Sequence, residues 1–134
     1  MSQPVPAPPE DEIAREIVDA AFKVHTRLGP GLLESVYQAV LAYELERRGL
    51  RVRREVPIGV VYDDLRFDVG FRADLLVNDL VIVELKSVEQ VAPVHKKQAL
   101  TYVKLANLRL GLLINFGAPR IKDGITRLAN GLPE

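Results

Sequence analysis

The feature that most constrains this chain is an apolar segment, residues 80–86, with almost no polar side chain before its Glu-Leu-Lys end. Such a segment is typical of a strand that is buried on both faces, in the middle of a sheet. A helical pattern covers residues 93–107, with a proline in its first turn, and a second apolar strand follows over residues 108–116. Two strands joined by a helix predict a parallel pair with a right-handed crossover.

The part of the chain before residue 80 changes from a helical to a strand period near residue 50. Apolar residues recur at three- and four-residue steps over residues 12–28 and 33–48, and Gly-Pro-Gly lies between these two predicted helices. Residues 52–62 and 65–77 favour strands, with an Asp-Asp turn between them. The pattern of residues 121–129 leaves the type of this last element open. The order ααβββαβ predicts an α/β fold, one sheet flanked by helices.

Length and composition limit the classes of protein to which the chain can belong. Its 134 residues fit one domain, which we place at residues 11–134, after a disordered leader of residues 1–10 that holds four prolines. The absence of cysteine excludes disulfides, thiolate zinc sites and cysteine nucleophiles. No apolar run is long enough for a membrane span, and no signal peptide is present, so we expect a cytoplasmic protein. A formal net charge of zero means that nucleic-acid binding would need a local site.

Three ionisable residues interrupt the apolar strands. Glu84 and Lys86 are two residues apart and project from one face, and Asp74 lies in the preceding strand. One interpretation is a salt bridge of Lys86 with Glu84 or Asp74, although a buried ion pair adds little stability over apolar residues. The other is a metal site, because two carboxylates and a backbone carbonyl suit a hard cation such as Mg²⁺ or Mn²⁺.

Asp74 followed by Glu84-Leu85-Lys86 resembles the D…(D/E)-x-K core of the PD-(D/E)xK nuclease superfamily. Residues 31–37 (GLLESVY) fit the GxxExxY signature that names one branch of it, and residues 98–102 (QALTY) fit the QxxxY helix of RecB-like nucleases. The chain is similar to the GxxExxY protein family over about residues 12–132. The resemblance implies a restriction-endonuclease-like fold with a mixed central sheet, and a metal-dependent nuclease acting on DNA or RNA.

The resemblance also implies a role for each residue that matches a motif. The predicted ligands of Mg²⁺ or Mn²⁺ are three carboxylates and one backbone carbonyl: Glu34, Asp74, Glu84 and Leu85. The same three carboxylates together with Lys86, which would orient the metal-activated water, form the predicted catalytic set. For Glu34 the alternative is a helix-dipole contact in the first turn of its helix.

Three further residues are predicted to bind substrate. Gln98 and Tyr102 are spaced i, i+4 on one helix face and would contact nucleic acid. Tyr37 lies one turn after Glu34, and its hydroxyl would hold Glu34 or a phosphate. The alternatives are a packed Tyr37, and a core Tyr102 beside a surface Gln98.

A hairpin argument tests whether the carboxylates can share a metal ion. If residues 78 and 79 formed a tight two-residue loop, Asp74 would point to the opposite face from Glu84. A shared site therefore requires an odd-length loop or a β-bulge between the two strands.

The sequence is also compatible with two other functions. The domain could be a non-catalytic module that binds nucleic acid or a protein partner, or a homo-oligomer in which the charged residues form an ion-pair network. Basic side chains could bind phosphates or simply be solvated. They cluster in two regions: Arg47, Arg48, Arg51, Arg53 and Arg54 in the first, and Lys96, Lys97 and Lys104 in the second. A homodimer or a protein partner would help so small a domain hold a substrate.

Overall fold

The computed structural model describes residues 7–133. Within this range the chain forms three α-helices, one short 3-10 helix and five strands. In chain order they are α1 (Pro9–Leu28), α2 (Glu34–Arg47), β1 (Val52–Tyr62), β2 (Leu65–Val77), β3 (Val81–Lys86), α3 (Pro93–Leu105), β4 (Leu110–Asn115), the 3-10 helix (Ile121–Gly124) and β5 (Ile125–Ala129). None of the helices in residues 7–133 has the length and apolar composition that crossing a membrane requires.

The five strands form one mixed sheet in the order β1-β2-β3-β4-β5. β3 and β4 are parallel, and α3 connects them, which confirms the predicted parallel pair. The other neighbouring strands are antiparallel. The predicted α/β fold with a mixed, helix-flanked sheet is therefore confirmed.

The last element, whose type the sequence left open, is the 3-10 helix followed by a fifth strand, Ile125–Ala129, beside β4. Only Leu128 of this edge strand is fully buried, so its sequence carries little strand periodicity. The bounds of α3 and β4 also differ from the predicted ranges, which were 93–107 and 108–116. Asn107 has a φ of 57°, and this left-handed turn ends α3 at Leu105 and delays the start of β4.

The two faces of the sheet carry different helices. α1 and α2 pack on one face, where their buried residues contact Val81, Val83 and Leu85 of β3. α3 packs on the other face through Ala99 and Val103. Because side chains alternate along a strand, Glu84 and Lys86 belong to the face that α3 covers.

β1 and β2 continue beyond the helices as a two-stranded arm. Every residue from 61 to 70 is exposed, including Tyr62, Leu65 and Phe67. The pairing register between β1 and β2 shifts between Ile58 and Val60, across from residues 68–70. The homodimer or protein partner stays a prediction, because the structure describes a single chain.

The first turn of α1 is fixed to the start of β4. α1 begins at Pro9, so the predicted leader of residues 1–10 is wrong at its end. Glu10 is buried, and the Nε and Nη2 atoms of Arg109 donate hydrogen bonds to its two carboxylate oxygens at 2.8 and 2.7 Å. This contact explains why the helix starts before the predicted position. Residues 1–6 of the predicted leader lie outside the described residues.

Candidate active site

The turn between β2 and β3 decides whether the two motif carboxylates can meet. Val77 pairs with Val81, so the loop has three residues, and Asn78 and Asp79 have φ angles of 51° and 55°. Leu75 pairs with Val83, and the same register continued by one step places Asp74 opposite Glu84. The loop therefore has an odd length, one of the two irregularities that a shared site requires, and both carboxylates lie on the same face.

β2 separates from β3 just beyond this point, and the Asp74 side chain fills the gap. The ladder between the strands ends at Leu75, and the backbone N–H of Leu85 donates instead to Asp74 Oδ2 at 2.8 Å. This bond fixes the Asp74 carboxylate beside the Glu-Leu-Lys motif. Burial raises the pKa of Asp74, and the Leu85 N–H offsets part of that effect.

Glu84 is buried with an incomplete set of partners. Its Oε1 atom has no hydrogen-bond partner among residues 7–133, although native structures rarely leave such an atom unpaired. Burial, together with the negative charge of Asp74, raises the pKa of Glu84 to about 8. Glu84 is therefore a carboxyl group with one unpaired buried oxygen, and no ion pair in residues 7–133 includes it.

The alternative of an ion-pair network finds no support in the described part of the chain. None of the ion pairs within 4.0 Å there includes Asp74, Glu84 or Lys86. Lys86 lies at the partly exposed end of β3, and its charge lowers the pKa of both carboxyl groups without a direct bond. The Lys86 ammonium is thus close to the site and free to contact a substrate.

A cavity of about 240 Å³ lies beside Asp74. It is lined by Glu34, Ser35, Gln38, Glu55, Asp74 and Leu85. Three of the four predicted metal ligands therefore surround one space, although they come from α2, β2 and β3. Glu84 and Lys86 follow Asp74 on the α3 side of the sheet and are not among the residues that line it.

The predicted contact of Tyr37 with substrate is wrong. Tyr37 is fully buried and stacks on Phe116 at 4.5 Å between ring centroids. Its hydroxyl donates to the Gly29 carbonyl at 2.5 Å and accepts from the Leu32 N–H at 3.1 Å. Because the single hydroxyl hydrogen is donated to the loop before Glu34, none is left for a carboxylate or a phosphate, and Tyr37 instead positions the start of α2.

The same loop joins the two sequence motifs physically. Ser87, the residue after Lys86, donates its hydroxyl hydrogen bond to the Leu32 carbonyl at 2.5 Å. The buried Asn115 fixes the next residues, since its side chain bonds the N–H of Val88 at 3.0 Å and the carbonyl of Val88 at 2.9 Å. These contacts hold the end of β3 close to the beginning of α2.

The two residues of the QxxxY pattern lie in different environments. Tyr102 is half-buried and stacks on Phe71 at 4.0 Å between centroids. Burial raises the pKa of Tyr102, and the charges of Glu84 and Asp74 raise it further, so the phenol is near both carboxyl groups. Gln98 is exposed on α3. The structure thus brings Tyr102 toward the carboxylates and leaves Gln98 at the surface.

Two residues of the cavity wall, Gln38 and Glu55, were missed by the sequence reasoning. Gln38 follows Glu34 by four residues, and this i, i+4 spacing could have placed it on the same helix face. Glu55 follows two arginines in β1 and gives the pattern of a solvated strand, which offers no comparable signal. Gln38 Nε2 donates to Glu55 Oε1 at 2.7 Å.

The basic residues divide into paired and exposed groups. Arg48 bonds Glu16 at 3.1 Å and Asp19 at 2.7 Å, and Arg53 pairs with Asp79 at 3.3 Å. These pairs agree with the solvated alternative for the arginine group. Lys96, Lys97 and Lys104 are exposed on α3.

The oxygen atoms at this site suit a divalent cation better than they suit hydrogen bonds or ion pairs among themselves. The unpaired Glu84 Oε1, the adjacent Asp74 and the cavity carboxylates are all oxygen donors, as Mg²⁺ and Mn²⁺ prefer. Among residues 7–133, however, no three His, Cys, Asp or Glu side chains already converge at metal-binding positions. A cation would therefore have to draw in a third carboxylate from the cavity wall.

Comparison with known proteins agrees with this geometry. A family model described as the PD-(D/E)XK nuclease superfamily matches residues 11–128 of the chain. No curated protein and no solved structure gives a significant match. The match extends from the first turn of α1 into β5 and includes all the predicted site residues.

Proposed function

We propose, on the premise that the chain belongs to the PD-(D/E)XK nuclease superfamily, that it hydrolyses phosphodiester bonds in nucleic acid with a divalent metal ion. The observation that carries the proposal is Glu84 Oε1, a buried acceptor without a partner beside Asp74. A bound cation would supply the missing positive charge and lower the pKa of a water molecule.

The side chains of the site divide the chemistry among them. Asp74 and Glu84, with the Leu85 carbonyl and Glu34, would hold the ion. The Asp74 side chain is already fixed by the Leu85 N–H, so this part of the site is preorganised. Lys86, partly exposed and free of ion pairs in residues 7–133, would orient the attacking water and offset charge on the phosphate.

The α3 face supports a substrate path to this site. Tyr102 is near both carboxyl groups, and Lys96, Lys97 and Lys104 are exposed on the same helix. We propose that Tyr102 contacts the substrate beside the scissile phosphate and that the lysines attract the phosphate backbone. Gln98, one turn before Tyr102, would make a more peripheral contact.

Within the superfamily, we propose that the chain belongs to the GxxExxY branch and shares the QxxxY helix of RecB-like nucleases. The structural roles of the GxxExxY residues support membership of this branch. Gly31 has a φ of 99°, Tyr37 holds the loop, and Glu34 reaches the cavity from the first turn of α2.

A non-catalytic binding module is the second candidate. It is favoured by one observation, the lack of three converging carboxylates in residues 7–133. Such a module would still use the exposed α3 lysines to bind nucleic acid, so binding alone does not distinguish the two functions.

The test compares cleavage and metal binding in the same protein. Labelled single- and double-stranded DNA and RNA are incubated with Mn²⁺ or Mg²⁺ and with wild type, Asp74→Asn, Lys86→Met and the exposed-site control Glu46→Gln. We expect metal-dependent cleavage by wild type and control, and losses of about a hundredfold or more in the other two. Lys86→Met should keep Mn²⁺ binding. Nucleic-acid binding without cleavage by wild type would favour the binding module.

A further inference from the structure

Glu55 occupies an unusual backbone position in the middle of β1. Arg54 pairs with Leu75 and Val56 with Ala73, so Glu55 lies across from Asp74 in the β1–β2 ladder. Its φ is 51°, a left-handed conformation that residues with a side chain seldom adopt within a strand. Conformations of this kind persist only where the surroundings enforce them, and they cluster at functional sites.

Gln38 is the contact that holds Glu55 in place. Its side chain lies in α2 and is buried, with 7% of its surface exposed. The Nε2 atom donates to Glu55 Oε1 at 2.7 Å, and the Oε1 atom accepts from Arg54 Nε at 3.2 Å. A single amide therefore fixes two successive residues of β1 and sets the direction of the Glu55 carboxylate.

Both residues face the same space as the predicted metal ligands. Gln38 and Glu55 line the 240 Å³ cavity together with Glu34 and Asp74. Gln38 engages one carboxylate oxygen of Glu55, which leaves the other oxygen available to the cavity. The sequence motifs contain neither residue, yet the wall opposite Asp74 depends on them.

We propose that Glu55 is an additional carboxylate for the divalent ion of this cavity, and that Gln38 is its positioning residue. The inference rests on the proposed function, since it assumes that an ion binds beside Asp74. Glu55 would add a carboxylate across the ladder from Asp74, although no three such side chains in residues 7–133, Glu55 included, converge before the ion binds. Gln38 acts through the hydrogen bond that directs Glu55 and does not itself contact the ion.

The test measures Mn²⁺ affinity by isothermal titration calorimetry on the full chain. Glu55→Gln keeps the size of the side chain and a hydrogen bond to Gln38 but removes the charge. We expect it to weaken Mn²⁺ binding about tenfold or more, with an unchanged midpoint of thermal unfolding. Gln38→Ala should give a smaller loss, and the exposed α2 control Glu46→Gln should give none.

A double exchange tests the positioning role. Gln38→Glu with Glu55→Gln restores a carboxylate–amide hydrogen bond with the two groups swapped and keeps the net charge of the cavity. Because position 38 does not contact the ion, we expect the Mn²⁺ affinity to stay as low as that of Glu55→Gln, and a recovery to the wild-type affinity would contradict the positioning role of Gln38. Glu55→Gly, which relieves the left-handed conformation, should unfold at the same or a higher temperature and still bind Mn²⁺ poorly.

The outcomes separate this inference from the proposed function. If Glu55→Gln binds Mn²⁺ as wild type does while Asp74→Asn does not, the role of Glu55 is refuted and the metal site stands. If wild type binds no Mn²⁺, both are refuted. A fall in the unfolding temperature of Glu55→Gln that matches its loss of Mn²⁺ binding would indicate a structural role and also refute the inference.

Discussion

Two buried glutamates, one in α1 and one in β3, have pKa values shifted in opposite directions. Glu10 in α1 and Glu84 in β3 expose only 3% and 9% of their surface. The hydrogen bonds from Arg109 lower the pKa of Glu10 despite its burial, whereas burial and the charge of Asp74 raise that of Glu84 to about 8. Burial therefore does not decide the state of a carboxyl group. A cationic partner decides it, and no ion pair in residues 7–133 gives Glu84 one.

The difference separates a structural from a chemical use of the same side chain. Glu10 is satisfied by a cation that the chain itself provides, so it fastens α1 to β4. Glu84 has a buried oxygen that nothing in residues 7–133 satisfies, so a cation from solution can be bound there. Four predictions test this contrast, and the largest expected effect concerns Glu84.

Glu84→Gln should abolish the proposed cleavage without harming the fold. We expect the cleavage rate with Mn²⁺ to fall by about a hundred- to a thousandfold, because the amide cannot replace a charged ligand. The free energy of unfolding in the metal-free protein should be unchanged or higher, since the variant removes a carboxyl group that must take up a proton to be buried. Initial cleavage rates and urea unfolding with a chelator measure the two effects. A clear loss of stability would show that Glu84, like Glu10, has a structural role.

Glu10→Gln should give the reverse result. The amide keeps the shape but loses the charge that Arg109 pairs with, so we expect the free energy of unfolding to fall by about 1–2 kcal/mol. Cleavage with Mn²⁺ should match wild type when measured well below the unfolding temperature. Urea denaturation and the same cleavage assay are the measurements. Equal stability of the variant and wild type would show that the buried pair contributes nothing net.

The sequence predicted the role of Glu84 but not that of Glu10, and the reason is physical. Glu84 interrupts an apolar strand, so local pattern alone marked it. The partner of Glu10 is 99 residues away in sequence, and no local periodicity reports such a contact. For the same reason Glu10 was assigned to the leader. Glu55 was missed because tertiary packing sets its position relative to Asp74 and Gln38.

The fold was predictable where elements are buried and periodic. The bounds of β1 and β2, and the parallel pairing of β3 with β4, follow the prediction. β5 was not recognised, because an edge strand with one fully buried residue has little hydrophobic alternation. The three-residue turn after Val77 was only one of two alternatives, since Asn-Asp-Leu does not specify loop length by composition. Tyr37 matched its motif, but the motif did not distinguish packing from substrate contact.

The acid stability of the protein should depend on Glu10. The native pKa of Glu10 is lowered, so the unfolded chain binds this proton more readily than the folded chain. Its contribution is therefore complete above the unfolded value of 4.5 and is lost as pH falls through the native pKa. Below that value wild type and Glu10→Gln should converge in free energy of unfolding. Urea unfolding from about pH 7 to about pH 3 measures the convergence, and a constant gap would contradict the assignment.

The smallest effect is expected at the neighbouring pair. Asp11 bonds Arg127 at 2.7 Å, but the two side chains remain 28% and 31% exposed. A partly solvated pair contributes little, so Asp11→Asn should lower the free energy of unfolding by about 0.5 kcal/mol. Urea denaturation in parallel with Glu10→Gln gives the ratio of the two effects. A larger loss for Asp11 than for Glu10 would reverse the ranking by burial.

The arm formed by β1 and β2 offers a place from which the molecule can be observed without disturbing it. Its turn, Asp63-Asp64, is exposed together with the strand ends on either side. Lengthening such a loop costs little conformational entropy, and exposed tips of this kind tolerate inserted sequence. A fluorescent peptide inserted between the two aspartates would leave the cavity wall intact. The arm could then report, by energy transfer, when a labelled oligonucleotide arrives.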